Sequence, residues 1–154
     1  MKIWILNGPN LNLLGIREPD VYGRQTYDDL VSLVQGEADR LGAEVRFFQS
    51  NHEGALVDLI QQAYREGVDG LVFNPAAYTH TSIAIADAVK GVGIPTVEVH
   101  ISDVSKRESF RQISYIRAVA LATVSGEGLA GYCHALRLLT EHLAQRGKES
   151  SCAR

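Results

Sequence analysis

Short apolar runs alternate with longer amphipathic stretches along this chain of 154 residues. The apolar runs are typical of strands that are buried on both faces. They fall at residues 3–6, 45–48, 71–73, 96–99 and 119–124. The amphipathic stretches repeat apolar residues every three or four positions, which predicts helices. These helices are predicted over residues 27–41, 56–64, 82–90 and 129–145, with a short helix over 109–114.

The order of these elements predicts the fold class. Strands that alternate with helices through short connections favour a parallel sheet with helices on both faces. Thr26 and Asp29 resemble a capping box before the first helix, and Gly42, Gly67 and Gly91 are typical helix stops. Five strands predict an α/β fold with a flavodoxin-like, doubly wound sheet. Residues 1–147 are expected to form a single domain, and residues 148–154 a disordered tail.

Composition narrows the choice of partner and compartment. The net charge of −3 and the pI near 5.9 give no reason to expect a nucleic-acid or anionic-membrane partner. Cys133 and Cys152 form no disulfide framework, and no cysteine or histidine spacing indicates a metal site. The N-terminus lacks a signal-peptide pattern, and no apolar stretch reaches membrane-spanning length, so a cytoplasmic protein is expected.

Polar residues follow four of the predicted strands, where each strand ends. They lie in residues 7–12, 49–53, 74–82 and 100–103, which are rich in amides, hydroxyls and histidine. Asn and Ser also favour turns and helix caps, so one such loop would mean little. In a doubly wound sheet, however, the carboxyl ends of the strands form the ligand site. Four such loops favour a polar pocket that recognises hydroxyl groups.

Individual candidates have plain structural interpretations as well. Arg17 and Tyr22 lie in a long loop between the first strand and helix, and loops of this length are often functional lids. Either residue alone could be an ordinary surface side chain. His100 at a strand end could be structural, although His80, Ser102 and Arg111 close by favour a functional role. Asp87 is either a solvated helix residue or a partner for a hydroxyl or histidine.

One motif matches a dinucleotide-binding fingerprint. Residues 126–131 have the pattern G-x-G-x-x-G between a predicted strand and helix. That fingerprint requires a following strand with an acidic residue. The 23 residues after Gly131 (154 − 131) allow only one helix and a tail, so nucleotide binding is disfavoured.

Several multi-residue motifs extend over most of the chain. The opening run NGPNLNLLG at residues 7–15 is followed by REP at 17–19 and YG at 22–23. The remaining motifs are SN at 50–51, EG at 53–54, NP at 74–75, YTHTS at 78–82, EVHIS at 98–102, RE at 107–108 and FR at 110–111. Together with Asp87, these motifs resemble those of the type II 3-dehydroquinate dehydratases, or type II dehydroquinases, in register to about Tyr132.

The resemblance implies a lyase without metal or cofactor. It would remove water from 3-dehydroquinate by anti elimination through an enolate, giving 3-dehydroshikimate. It also implies homo-oligomers, with trimers assembled into a dodecamer. Tyr22 would be the base, Arg17 its activator, His100 the general acid, and Asn10 would lie near the enolate oxygen. The implied substrate-binding residues are Asn74, His80, Asp87, Ile101, Ser102 and Arg111. Glu98 is two residues before His100 on the same strand face and could hold charge on it.

The chain departs from the common pattern of that family at several positions. Ala76 replaces a usual glycine, Asp103 a usual asparagine and Ser105 a usual histidine, while Glu127 interrupts an apolar position. Ala55 and Gln61 replace a frequent Glu and His. None of these departures removes a residue with an implied catalytic role. Two alternatives stay open, a flavodoxin-like binding module that has kept the pocket but lost turnover, which intact Arg17, Tyr22 and His100 disfavour, and a flavin carrier. The shikimate pathway and quinate breakdown share this intermediate, so the sequence does not choose between them.

Overall fold

The computed structural model of the chain describes residues 1–16 and 24–152. At its centre lies a five-stranded parallel sheet with the strand order β2-β1-β3-β4-β5. The strands are β1 (Lys2–Asn7), β2 (Glu44–Gln49), β3 (Gly70–Asn74), β4 (Thr96–His100) and β5 (Ala122–Ser125). This is the strand order of a flavodoxin-like doubly wound sheet, and it confirms the predicted fold class.

Four α-helices cover the two faces of the sheet. They are α1 (Tyr27–Leu41), α2 (Glu53–Arg65), α3 (Ile83–Val92) and α4 (Ala130–Cys152). Ile3 and Ile5 of β1 pack in the core with α1 and α4, whereas Trp4 and Leu6 pack in the core with α2 and α3. Successive strand residues point to opposite faces, so a central strand must be apolar throughout. All four side chains are fully buried, and the burial of each apolar side chain contributes about 2 kcal/mol to the free energy of unfolding.

The first helix has the predicted bounds and the predicted ends. The hydroxyl of Thr26 accepts a hydrogen bond from the N–H of Asp29, and the Asp29 carboxylate accepts one from the N–H of Thr26. This is a complete capping box. Gly42 adopts the left-handed conformation with φ 66°, as expected of a helix C-cap.

Other boundaries differ from the prediction. Helix α3 does not stop at Gly91 but continues to Val92, because a single glycine costs a helix only about 1 kcal/mol, and Gly93 provides the left-handed cap. Strand β5 begins at Ala122 rather than at residue 119. The N–H groups of Val119 and Ala120 both donate to the carbonyl of Ile116, so this stretch is a turn.

The remaining segments were also predicted only in part. Residues 109–114 contain one 3₁₀ turn, Ser109–Arg111, in place of the predicted short helix. Helix α4 continues past residue 145 to Cys152, so it includes residues 148–152 of the expected disordered tail. No proline interrupts that stretch, and the helix can therefore continue through it. No helix in the part of the chain that the structure describes is long and apolar enough to cross a membrane.

The sheet register brings two of the polar loops together. Asn7 pairs with Asn74 at the carboxyl ends of β1 and β3. The N–H of Gly8 donates to the carbonyl of Asn74 over 2.8 Å. A Cβ atom at position 8 would lie 2.3 Å from the carbonyl oxygen of Pro75, which leaves room for glycine only. The loops after β1 and β3 are therefore in close contact at the edge of the sheet.

Candidate active site

A cleft lies at the carboxyl edge of the sheet, over β1, β3 and β4. Its polar lining combines amide, imidazole, hydroxyl and guanidinium groups with the apolar side chains of the first loop. The lining residues are Pro9, Asn10, Leu11, Leu13, Leu14, Asn74, Ala76, Ala77, His80, His100, Ile101, Ser102, Val104, Arg107 and Arg111. An apolar wall with a few convergent polar groups is typical of a small-molecule site.

A buried ion pair lies beside the cleft. His100 is the last residue of β4, and its Nε2 atom is 2.8 Å from Oε1 of Glu98, two residues earlier on the same face of the strand. Glu98 is fully buried, and His100 is 5% exposed. The histidine therefore has the carboxylate on one side and the cleft on the other. This position between a carboxylate and the cleft suits a histidine that exchanges a proton with a ligand.

Three hydroxyl groups complete the surroundings of Glu98. Thr79 and Ser114 donate to its Oε1 atom, and Thr123 donates to Oε2 over 3.0 Å. Burial alone would raise the pKa of this carboxyl, but the hydrogen bonds from His100, Thr79 and Ser114 and the charge of His100 lower it to about 2. Glu98 is therefore an anion at any pH at which the protein works.

Asn10 has an unusual backbone that a neighbouring loop holds in place. Its φ of 67° and ψ of 0° lie in the left-handed region, which asparagine tolerates better than most residues. Its N–H donates to Oδ1 of Asn51 over 3.0 Å. Gln49 donates through Nε2 both to the same Oδ1 atom and to the carbonyl of Gly8. The end of β2 therefore fixes the loop that brings Asn10 to the cleft.

His80 is held in one tautomer. Its Nδ1 atom lies 2.6 Å from the carbonyl oxygen of Ile113, which can only accept, so Nδ1 carries the proton. Partial burial and the charges of His100 and Arg111 outweigh this hydrogen bond and lower the pKa of His80. The ring is therefore neutral at physiological pH, and Nε2 can accept a hydrogen bond from a ligand hydroxyl.

Arg111 brings positive charge to the rim of the cleft. Its Nε atom donates to Glu108 over 2.9 Å, and its guanidinium lies 5.2 Å from the centre of the Phe110 ring. These contacts orient the planar group and leave its two terminal nitrogens as the atoms that would meet a ligand anion. A planar guanidinium held this way suits a carboxylate.

Comparison with known proteins identifies the family. The sequence model of the family described as class II dehydroquinase matches residues 1–140. The chain belongs to the class II dehydroquinases. The 3-dehydroquinate dehydratase of Lachnospira eligens is 52% identical over 142 residues, which cover 92% of this chain and 97% of the relative. The corresponding protein of Clostridium perfringens strain 13 is 49% identical over 146 residues, which cover 95% of this chain and 100% of the relative.

Solved structures agree with this assignment. The type II dehydroquinase of Butyrivibrio crossotus superposes with a TM-score of 0.89 at 50% identity, covering 90% of this chain and 97% of that one. The type II dehydroquinase of Propionibacterium acnes gives a TM-score of 0.87 at 42% identity, covering 91% and 96%. The chain is therefore an enzyme of this class.

The structure of this dehydroquinase brings most of the predicted site residues together. Those that line the cleft are Asn10, Asn74, His80, His100, Ile101, Ser102 and Arg111, and Glu98 lies directly behind His100. Asp87 is an exception: it is exposed on α3 and does not line the cleft, because the buried face of that helix is formed by Ile85, Ala86 and Val89. Arg17 and Tyr22 lie outside the described residues.

Several contributors were not recognised in the sequence of this dehydroquinase. Leu11, Leu13 and Leu14 form the apolar wall of the cleft. Their position in the opening motif indicates such a role, but leucines after a strand are equally typical of an ordinary hydrophobic core. Thr123 gives no such signal, because only the register of β4 with β5, which pairs Glu98 with Thr123, brings its hydroxyl to the carboxylate.

Four of the positions expected to depart from the family pattern have distinct local surroundings. Ala76 has φ 52°, a conformation that favours glycine, so the substitution strains the backbone. Asp103 accepts hydrogen bonds from the N–H and the hydroxyl of Ser105, so these two departures contact each other. Glu127 lies 3.0 Å from Nδ1 of His134 in an exposed pair.

The glycine-rich motif of this dehydroquinase is a structural turn. Gly126 and Gly128 have φ of 83° and 61°, and their N–H groups donate to the carbonyls of His100 and Ile101. Those N–H groups are therefore not available to a phosphate. Within residues 1–16 and 24–152, no cluster of three or more histidine, cysteine or carboxylate side chains could hold a metal ion.

Proposed function

We propose that the chain converts 3-dehydroquinate to 3-dehydroshikimate by anti elimination of water through an enolate intermediate. The names of its relatives support the substrate and the reaction. Within the molecule, the observation that carries the proposal is the His100–Glu98 pair at the wall of a cleft lined by amide and guanidinium groups. Such a site can protonate a leaving hydroxyl and stabilise an enolate beside it.

The first step removes a proton next to the ketone, and its electron pair forms the enolate. The resemblance assigns this step to Tyr22, with Arg17 as its activator. A tyrosine with a pKa near 10 is a poor base at neutral pH. A guanidinium at about 4 Å, with an effective dielectric near 20, supplies roughly 4 kcal/mol, or about three pKa units. Arg17 beside Tyr22 would therefore make the tyrosinate accessible.

The second step breaks the bond between carbon and the leaving hydroxyl. The enolate re-forms the ketone, a carbon–carbon double bond is created, and the hydroxyl leaves as water with a proton from His100. Glu98 stabilises the imidazolium before the transfer and stays ionised afterwards, because its three hydroxyl donors remain in place. Asn10, at the rim of the cleft, would stabilise the enolate oxygen directly or through an ordered water.

The remaining groups would bind the substrate. Arg111 suits its carboxylate, with the N–H groups of Ile101 and Ser102 beside it. Asn74 and His80 suit its ring hydroxyls, and the neutral His80 would accept a hydrogen bond there.

Asp87 is exposed on α3, so it can serve a substrate only from another copy of the chain. The trimers and the dodecamer that the resemblance implies would allow this. We propose such a homo-oligomer, acting in the cytoplasm without cofactor, in the shikimate pathway or in quinate breakdown.

A direct assay tests this function. Purified protein is mixed with 3-dehydroquinate in the presence of a chelator, and the ultraviolet absorbance of the conjugated product is followed. A protein-dependent rise that is unaffected by chelator, and by borohydride treatment with substrate, is expected. Folded protein that gives no rise would contradict the proposal and favour a binding module that has kept the pocket.

A further inference from the structure

A chain of buried hydrogen bonds leads from the cleft into the core. Nδ2 of Asn74 lies 2.8 Å from the hydroxyl of Tyr132 on α4, and that hydroxyl lies 2.7 Å from Oδ1 of Asn7 on β1. Nδ2 of Asn7 then lies 3.3 Å from the hydroxyl of Tyr27 at the start of α1. Tyr132 and Asn7 are fully buried, and Asn74 is 3% exposed. These hydrogen bonds join four elements of the fold, β3, α4, β1 and α1.

The direction of every bond in this chain follows from one backbone group. The N–H of Ala76 can only donate, and it donates to Oδ1 of Asn74 over 3.0 Å. Oδ1 therefore faces Ala76, and Nδ2 must face Tyr132, whose oxygen accepts. The single hydroxyl proton of Tyr132 is then donated to Asn7, which must present Oδ1 to receive it. Nδ2 of Asn7 consequently faces Tyr27.

These constraints define what Asn74 can offer a ligand. A side-chain amide has two donor protons and two acceptor lone pairs. In Asn74, one proton is used by Tyr132 and one lone pair by Ala76. One N–H and one lone pair remain, and the amide cannot exchange their places without breaking both bonds. A flipped amide would also place two donors, its own and that of Ala76, against each other.

We propose that Tyr132 is a positioning residue that fixes the amide of Asn74, so that its remaining N–H and lone pair have set places in the cleft. The inference rests on the proposed function, which makes Asn74 a substrate-binding residue. Tyr132 never reaches the cleft and acts only through Asn74. Burial raises the pKa of Tyr132, so the hydroxyl keeps its proton and the direction of the chain is maintained at any working pH.

Tyr132→Phe tests this role, because it removes the hydroxyl and keeps the ring. We expect KM for 3-dehydroquinate to rise about tenfold while kcat changes little, as when a contact common to the bound substrate and the transition state is weakened. Tyr27→Phe is the matched control. It removes the hydroxyl at the other end of the same series of hydrogen bonds. Because the Tyr27 hydroxyl does not determine the orientation of Asn74, KM is expected to stay unchanged.

A double-mutant cycle separates positioning from general stability. In an Asn74→Ala background, Tyr132→Phe is expected to leave KM unchanged, since there is no amide left to orient. If the effects of Tyr132→Phe and Asn74→Ala on KM are additive in the double variant, the proposal is overturned. It is also overturned if Asn74→Ala raises KM but Tyr132→Phe leaves KM unchanged. If Asn74→Ala itself leaves KM unchanged while turnover of 3-dehydroquinate persists, the binding role of Asn74 is wrong and the positioning role fails with it.

A measurement on the unsubstituted protein serves if Tyr132→Phe does not fold. The two Nδ2 protons of Asn74 can be followed by nuclear magnetic resonance, with Asn74→Ala for assignment. The Nδ2 proton that is hydrogen-bonded to the Tyr132 hydroxyl should exchange with solvent far more slowly than the other Nδ2 proton, which faces the cleft. Equal and rapid exchange of both protons would overturn the proposal.

Discussion

The hydrogen-bonded carboxylate of Glu98 gives this protein a specific sensitivity to acid. Burial opposes ionisation, but the hydrogen bonds from His100, Thr79 and Ser114 hold the pKa at about 2, against 4.5 for an ordinary glutamate. Each pKa unit corresponds to about 1.36 kcal/mol. The ionised carboxylate therefore contributes about 3 kcal/mol to the free energy of unfolding at neutral pH.

The sign of the effect follows from the lower pKa in the folded state. The contribution is present in full above the unfolded pKa of 4.5, and it is lost as the pH falls towards the folded pKa of about 2. By about pH 3, roughly 2 kcal/mol has been lost. In Glu98→Gln the side chain no longer titrates, so this part of the pH dependence should disappear.

Urea unfolding at about pH 7 and about pH 3 measures the difference. Trp4 is the only tryptophan in the chain and is fully buried, so its fluorescence reports unfolding of the core. The unsubstituted protein should lose about 2 kcal/mol more than Glu98→Gln between the two pH values. Glu127→Gln, in which an exposed carboxylate beside His134 is replaced, should behave like the unsubstituted protein. Equal losses in the unsubstituted protein and in Glu98→Gln would refute the assignment of the low pKa.

Three further changes test the site and its backbone. Tyr22→Phe should abolish turnover and leave substrate binding intact, because the ring stays and only the base is lost; a normal rate would exclude tyrosine as the base. Arg111→Ala should weaken binding of quinate about tenfold or more in calorimetry, since a carboxylate partner is lost, whereas Lys106→Ala, an exposed cation nearby, should not; equal affinities would exclude the role of Arg111. Ala76→Gly should leave the free energy of unfolding unchanged or raise it by up to about 1 kcal/mol in thermal unfolding. Relief of the strained φ of 52° offsets the greater flexibility that glycine gives the unfolded chain. Ala77→Gly, at an exposed position of normal φ, should instead lose about 0.5–1 kcal/mol, and equal losses would contradict the strain.

The fold could be predicted because the local and the global signals agree. The alternation of apolar runs and amphipathic stretches predicted the five strands and the four α-helices of the described residues, and Thr26 and Gly42 marked both ends of α1. The errors came from positions where a local signal has two meanings. Gly91 is a helix stop in sequence but an interior residue in the structure, because Gly93 is placed where a left-handed cap is needed.

The site could be predicted where its residues come directly after a strand. His100 and Asn74 are strand-end residues, and the rule that ligands bind at the carboxyl edge placed both among the residues expected at the pocket, while their individual roles came from the resemblance. The hydroxyl of Thr123 and that of Tyr132 could not be selected this way. Both reach their partners through tertiary register and packing, which no spacing in the sequence encodes.

The close contact at Gly8 has a consequence for attempts to redesign this enzyme. Because the loop after β1 lies against Pro75 with no room for a side chain, the loops after β1 and β3 constrain each other's replacement. A grafted loop after β1 would need glycine at position 8. A grafted loop after β3 would need the same backbone path at residues 74–75. Libraries that vary Asn10 and Ala77 should therefore recombine these two loops as one block.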